Sequence, residues 1–324
     1  MERMKKKKSR IGRKIILSIL CGIAAILLIM TVVNLICNHF EQDRIADYGT
    51  KVDVFGETIN VGVWGSGENV IVILPGSADP SPVLDFRPLA ELLSGSCTVV
   101  VPEPFGYGLS DITDRERSFD NIADEIHECL SQLGYSSYTL MGHSLSGLTM
   151  LQYANLYPGE VEAVVALDTS VPKQSDARLI EAVNQVLSPC MGFLRAAGMY
   201  RLLSIFSDNE ALQEFWGFGP ISDEEADILR HVVCSSMYNR NVREEIRNCH
   251  AESARMYEMQ YPDEIPVLTF LSADNAEMLP EWTLWHEALT ENGHSELFVV
   301  SGGHYVYRGH TEEIAAKTLD FIGR

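Results

Sequence analysis

The pattern of hydrophobic and polar positions divides the chain at residue 37. "IILSILCGIAAILLIMTVVNLIC", Ile15–Cys37, is apolar and carries no charge. About 20 such residues cross a bilayer core of roughly 30 Å as a helix, which satisfies its own backbone hydrogen bonds. A short polar spacer, 38–50, follows. Beyond it, apolar runs of strand length alternate with stretches of helical period. "KVDVFGETINVGVWG" reads as a hairpin turning near Gly56. "NVIVILPG", "CTVVVPE" and "VEAVVALD" are continuous apolar runs rich in β-branched residues, as buried strands are. "YTLMG", "PVLTFLS" and "ELFVVSG" read as further strands. Helices are predicted over "FRPLAELLS", "GLTMLQYANLYPGE", "EWTLWHEALTENG" and "TEEIAAKTLDFI". In "SFDNIADEIHECLSQLG", Ile122, Ile126, Leu130 and Leu133 form one helical stripe, with Ser118 placed to cap it and Gly134 to end it. Such alternation predicts an α/β fold, a mostly parallel sheet flanked by helices.

Between Val171 and Pro262 the alternation stops. Helical period continues in "ARLIEAVNQVL", "GFLRAAGMYRLLSIF" and "DEEADILRHVV", without a convincing strand. The predicted organisation is a basic tail at 1–14, a transmembrane helix at 15–37, the spacer at 38–50 and one domain at 51–324. A helical cap over about 171–262 interrupts that domain.

Composition sharpens the reading of the first segment. The 324 residues are 46% hydrophobic and carry a formal charge of −20. Eight of the 25 basic residues precede Ile15, with one of the 45 acidic residues, so the remainder holds 17 basic and 44 acidic side chains. The basic cluster marks the cytoplasmic end of the span and leaves residues 38–324 outside the cell. A cleaved signal peptide fits less well, because its apolar core is shorter and no A-x-A pattern follows here. An acidic domain argues against nucleic acid, whose phosphates need Lys and Arg. It equally disfavours adhesion to anionic lipid by charge. Five cysteines lie outside the span, odd in number and without C-x-x-C spacing, which supports neither a zinc site nor a disulfide framework. A single bridge within the set Cys190, Cys234 and Cys249 is compatible with an extracellular location.

The candidate chemistry centres on "LMGHSLSGL", Leu140–Leu148. Ser144 follows a predicted strand and precedes a predicted helix, with Gly142 two residues before it and Ser146 two after. A sharp strand-to-helix turn in that context pushes a serine Oγ into the open and needs small neighbours. The alternative is a serine-rich turn that only caps a helix.

With this motif the chain resembles the α/β-hydrolase family over about residues 50–324. The resemblance implies an N–H pair for an oxyanion, from Ser77 in "LPGSADP" and from Leu145 after the nucleophile. "PFGYGLSD" matches a structural loop of the family and carries no catalytic role. "FVVSGGHYVYR" puts His304 just past the last strand, where the family keeps its catalytic histidine. There an imidazole takes the serine proton and returns it to the leaving group. Of the other histidines, His143 should turn its ring away from Ser144, His294 and His310 should be solvated, and His231 and His250 lie in the cap within potential reach of substrate. The acid has two candidates. Asp274, in "PVLTFLSADN", follows the strand where the family usually places it, although the customary position itself holds Asn275. Asp168, in "ALDTSVP", ends the preceding strand and resembles the arrangement of animal triacylglycerol lipases. Strand position tips the balance slightly to Asp274, with Glu277 next in line should neither serve.

Together these features imply a membrane-anchored serine hydrolase of small or medium carboxylic esters, with no cofactor and no metal. Two other readings share the fold. A proline-type aminopeptidase would need cap carboxylates such as Glu224 and Glu225 for a substrate amine. A small-molecule receptor would bind without turnover, since fold does not settle function.

Overall fold

The computed structural model describes residues 2–42, 45, 48–176, 178–211, 217–289 and 294–323. Parts of the predicted spacer (43–44 and 46–47), Ala177 of one cap piece and the end of "EWTLWHEALTENG" (290–293) lie outside the described residues.

Eight strands form one sheet: β1 Thr50–Val54, β2 Glu57–Trp64, β3 Val70–Leu74, β4 Thr98–Glu103, β5 Tyr138–His143, β6 Val161–Leu167, β7 Val267–Ser272 and β8 Glu296–Val300. Their order is β1-β2-β4-β3-β5-β6-β7-β8. β1 pairs antiparallel with β2, and β2 antiparallel with β4. Every other pairing is parallel. The predicted hairpin turns at Phe55 and Gly56, with φ of +56° and +86°. Both central residues are left-handed, the turn that matches strand twist.

β3 shows why its run lacks alternation. Ile71 and Ile73 pack into one core, Val72 and Leu74 into the other. Side chains alternate across a strand, so a strand covered on both faces is apolar at every position. Helices supply the covers. α1 is Glu2–Gln42, α2 Pro82–Asp85, α3 Arg87–Leu93, α4 Phe119–Gln132 and α5 Ser146–Leu156. Leu89 and Leu93 of α3 join the Ile71 core, and Ile122 and Ile126 of α4 the Val72 core. Ser118 caps α4 by accepting from Asn121 N–H at 3.3 Å.

Between β6 and β7 lie α6 Arg178–Ala196, α7 Met199–Ile205, α8 Asp223–Ser235 and α9 Arg240–Arg255. α6 runs through Pro189 and joins two pieces that the sequence separates. α9, "RNVREEIRNCHAESAR", was not among the predicted pieces. Its polar residues hide a narrow buried edge at Val242, Glu245 and Ser253. The chain closes with α10 Ala273–Met278, α11 Glu281–Glu287, α12 Val306–Gly309 and α13 Thr311–Ile322.

α1 contains one stretch, Arg13–Gln42, long and apolar enough to cross a membrane, with mean hydropathy 2.9. The helix continues to Gln42 and so absorbs the first residues of the predicted spacer. Cys190, Cys234 and Cys249 form no disulfide with one another, so the bridge considered above is not made.

Candidate active site

The carboxyl ends of parallel strands converge on one crevice, the usual place for a ligand in an open α/β sheet. Ser144 stands at the turn from β5 to α5 with φ +55°. That conformation is strained for a residue with a side chain, and it recurs at functional sites. The small neighbours have a physical reason. A Cβ on Gly142 would stand 2.4 Å from Ser146 Oγ, and one on Gly147 2.4 Å from the Ser170 carbonyl oxygen. Ser146 fits the position usually held by glycine because its hydroxyl folds back. It is buried and donates to the Leu74 and His143 carbonyls at 3.2 and 2.8 Å.

Ser144 Oγ lies 2.9 Å from His304 Nε2, and His304 Nδ1 lies 2.7 Å from Asp168 Oδ2. With Nδ1–H donating to the carboxylate, Nε2 presents its lone pair to the serine hydroxyl. Asp168 follows β6 with φ +47°, a second strained backbone at the site, and its side chain is fully buried. Four donors surround the carboxylate. Oδ1 accepts from Ser272 N–H and Trp282 Nε1–H, both at 3.0 Å, and Oδ2 accepts from Asn275 Nδ2–H at 2.6 Å as well as from His304. Burial pushes its pKa up, but the bond from His304, the Ser272 N–H and the His304 charge outweigh it, and the carboxyl ends below its ordinary value.

The two candidate acids are therefore placed very differently. Asp274, on α10, is exposed, and its N–H meets the Gly302 carbonyl at 3.3 Å. Its side chain lies near the backbone of the histidine loop, with Oδ2 3.5 Å from where a Cβ on Gly303 would sit. Asp168, not Asp274, meets the imidazole, against the slight preference drawn from strand position. Glu277 is exposed as well. The role of Asn275 was missed. It occupies the position after β7 where the resemblance expects an acid, and it donates to Asp168, the carboxylate after β6. Trp282 was missed too, because a tryptophan on a short helix carries no sequence sign of a polar task.

Ser77 and Leu145 border the crevice beside Ser144. Gly76 lets that loop approach, since a Cβ there would stand 3.1 Å from Ser144 Cβ and 2.7 Å from His143 Nδ1. Ala78, at φ +59°, turns the loop directly after Ser77. The cavity holds about 420 Å³. Leu145, Ile246, Met278, Leu279 and Trp282 line it with apolar surface, while Ser77, Ser170, Gln174 and Asn275 add neutral polar groups. Ser77 Oγ and Gln174 Oε1 are buried there without a hydrogen-bond partner.

His143 is buried, and its Nε2 donates to the His304 carbonyl at 3.1 Å. The ring braces the histidine loop. Burial first, and then the neighbouring His304, hold its pKa well below that of a free imidazole. His310 is half-buried rather than solvated, with Nε2 2.8 Å from the Ser301 carbonyl. His294 is exposed. His231 does not reach the crevice: it faces Glu41 of α1 at 3.5 Å. His250 is not among the lining residues either. Glu224 is exposed, and Glu225 closes the capping box of α8 and pairs with Arg87. Neither carboxylate is among the described residues that line the cavity.

Comparison with known proteins agrees with this architecture. Residues 69–201 match the model of the alpha/beta hydrolase fold family. The chain has the alpha/beta hydrolase fold. Over 321 residues it is 23% identical to the uncharacterised protein YbdG of Bacillus subtilis, covering 95% of this chain and 97% of that one. It is 29% identical to mouse serine hydrolase BPHL over 156 residues, 45% of this chain and 53% of the other. Among solved structures, Cfl2 of Burkholderia cenocepacia superposes with a TM-score of 0.66 at 18% identity, over 84% of this chain and 94% of its own. A haloalkane dehalogenase DbeA loop variant from Bradyrhizobium elkanii gives 0.57 at 18% identity, over 85% and 95%. These structures share the fold. The hydrolase homologues indicate a hydrolase.

Proposed function

We propose that the protein is a membrane-anchored serine hydrolase that cleaves carboxylic esters of small or medium size. The observation that carries this reading is the hydrogen-bonded series Ser144–His304–Asp168, at 2.9 and 2.7 Å. His304 takes the Ser144 proton as Oγ attacks the acyl carbon, and returns it to the departing alcohol. Asp168 holds the ring in the right tautomer and stabilises its charged form. The N–H groups of Ser77 and Leu145 receive the oxyanion. Water, deprotonated by His304, then releases the acyl group from Ser144. The neutral, largely apolar lining suits an uncharged acyl chain better than a charged substrate. The uncharged run Ile15–Cys37 anchors the enzyme, with residues 1–14 in the cytoplasm and the hydrolase domain outside.

Fluorophosphonate labelling of the full chain tests the nucleophile, and p-nitrophenyl esters of several chain lengths test the substrate class. Labelling at Ser144 with ester turnover is expected. A folded protein that neither labels nor turns over any ester would favour the receptor reading.

A further inference from the structure

The carboxyl end of α1 is fastened to the cap. Arg201 of α7 donates from Nε to Asn34 Oδ1 at 2.9 Å, and from Nη2 to Asn38 Oδ1 at 2.6 Å and Glu41 Oε2 at 2.8 Å. Asn34 donates to the Arg195 carbonyl at 3.3 Å and is 2% exposed. At the turn between α6 and α7, a Cβ on Gly198 would stand 2.9 Å from the Met30 carbonyl oxygen. Glycine is what lets the two backbones meet there.

These contacts set a depth. A bilayer core of roughly 30 Å takes about 20 residues of helix at 1.5 Å each. Counted from Ile15, Met30 and Asn34 fall in the last quarter of that length. A turn that touches the Met30 backbone is therefore level with the outer edge of the hydrocarbon. The two helices that meet at this turn carry exposed apolar side chains. Val186 and Phe193 on α6 are 67% and 60% exposed, and Ile205 and Phe206 at the end of α7 are 71% and 82% exposed. Large apolar side chains left exposed on both helices of this corner suit a surface that meets an apolar partner.

We infer that the α6–α7 corner of the cap is seated in the outer leaflet of the bilayer, against α1, and that the substrates are esters dissolved in that leaflet. This rests on the anchor reading above. A second copy of the chain is the competing occupant, but the Met30–Gly198 contact puts lipid at this surface first. The seat is coupled to the site: Gln185 of α6 donates to the Arg247 carbonyl of α9 at 3.0 Å, and α9 lines the catalytic cavity through Ile246 and Cys249.

The test uses the full chain in nanodiscs whose lipids carry brominated acyl chains, which quench nearby tryptophan. Ile26→Trp reports the anchor, Phe206→Trp the corner, and Leu156→Trp, at the end of α5 away from the crevice, the control. Each is read as its difference from the parent protein. Phe206→Trp should be quenched nearly as strongly as Ile26→Trp, and Leu156→Trp hardly at all. If Ile26→Trp is quenched and Phe206→Trp is not, the anchor stands and the inference fails. If Phe206→Trp is instead shielded from aqueous acrylamide in proportion to protein concentration, a second copy covers the corner and the inference also fails. If Ile26→Trp escapes quenching, the anchor reading falls and takes the inference with it. The triple variant Phe193→Ser, Ile205→Ser and Phe206→Ser should lose turnover of a long-chain ester held in the bilayer and keep that of soluble p-nitrophenyl acetate. Equal effects on both esters would overturn the substrate class, whatever the quenching shows.

Discussion

The Asn275 side-chain amide donates to Asp168 Oδ2 across 2.6 Å, on the same carboxylate oxygen that His304 Nδ1 meets at 2.7 Å. Asn275 Nδ2 is also 3.3 Å from His304 Nδ1. An amide thus stands at the place after β7 where a carboxylate would also reach the ring. The site has room for an acid on either strand, and one position is filled by a neutral brace.

Asp168→Asn should therefore cost on the order of 10⁴-fold in ester turnover, as loss of the triad acid does in the best-studied case. Asp274→Asn should leave the rate close to that of the parent. Exchanging the two groups, Asp168→Asn with Asn275→Asp, should recover part of the loss. The three kcat/KM values decide the matter. A large loss for Asp274→Asn and none for Asp168→Asn would reverse the assignment.

The two serines of the turn should separate cleanly. Ser144→Ala should abolish fluorophosphonate labelling and keep the melting temperature. Ser146→Ala should retain labelling and lose about 1 kcal/mol of stability, because its hydroxyl serves two backbone carbonyls. Labelling lost with Ser146→Ala and kept with Ser144→Ala would show the wrong serine had been chosen.

His143 predicts a pH dependence. Its pKa in the fold lies well below the ordinary value, through burial first and the neighbouring His304 second. The unfolded chain takes up a proton near pH 6.5, whereas the folded chain does not. Stability should then fall as the pH drops below about 6.5, with this one group contributing up to about 1.4 kcal/mol per pH unit. His143→Gln removes the contribution. Melting curves between neutral and mildly acidic pH should show the variant losing less stability than the parent. Parallel curves would mean that His143 titrates alike in both states.

Topology is open to a direct check. Protease added to intact cells should digest the domain beyond residue 38 and spare residues 1–14. Digestion that requires lysis would put the domain in the cytoplasm, against the orientation drawn from the basic tail.

Much of this protein could be read in order along the chain. Strand runs such as Val70–Leu74 are apolar at every position because both faces are covered. Ser118 announces its helix because a cap needs only its own next three residues. The environment of Ser144 follows from local sterics, since the turn leaves no room for a Cβ at Gly142. His304 needed only its place after the last strand. For the helix cap and for the serine turn, the cause lies within a few residues of the effect.

The acid was different. Asp168 and Asp274 both follow parallel strands, and their sequence positions do not tell which carboxylate faces the ring. That depends on the strained backbone at Asp168, and on Ser272, Asn275 and Trp282, which converge on it from elements about a hundred residues further along the chain. The same holds for α1. Its composition marks a candidate span, but its attachment to the cap needs Arg201 and Gly198 to arrive from more than 150 residues away. Such contacts are made by packing, and packing is a property of the folded whole that no local pattern carries.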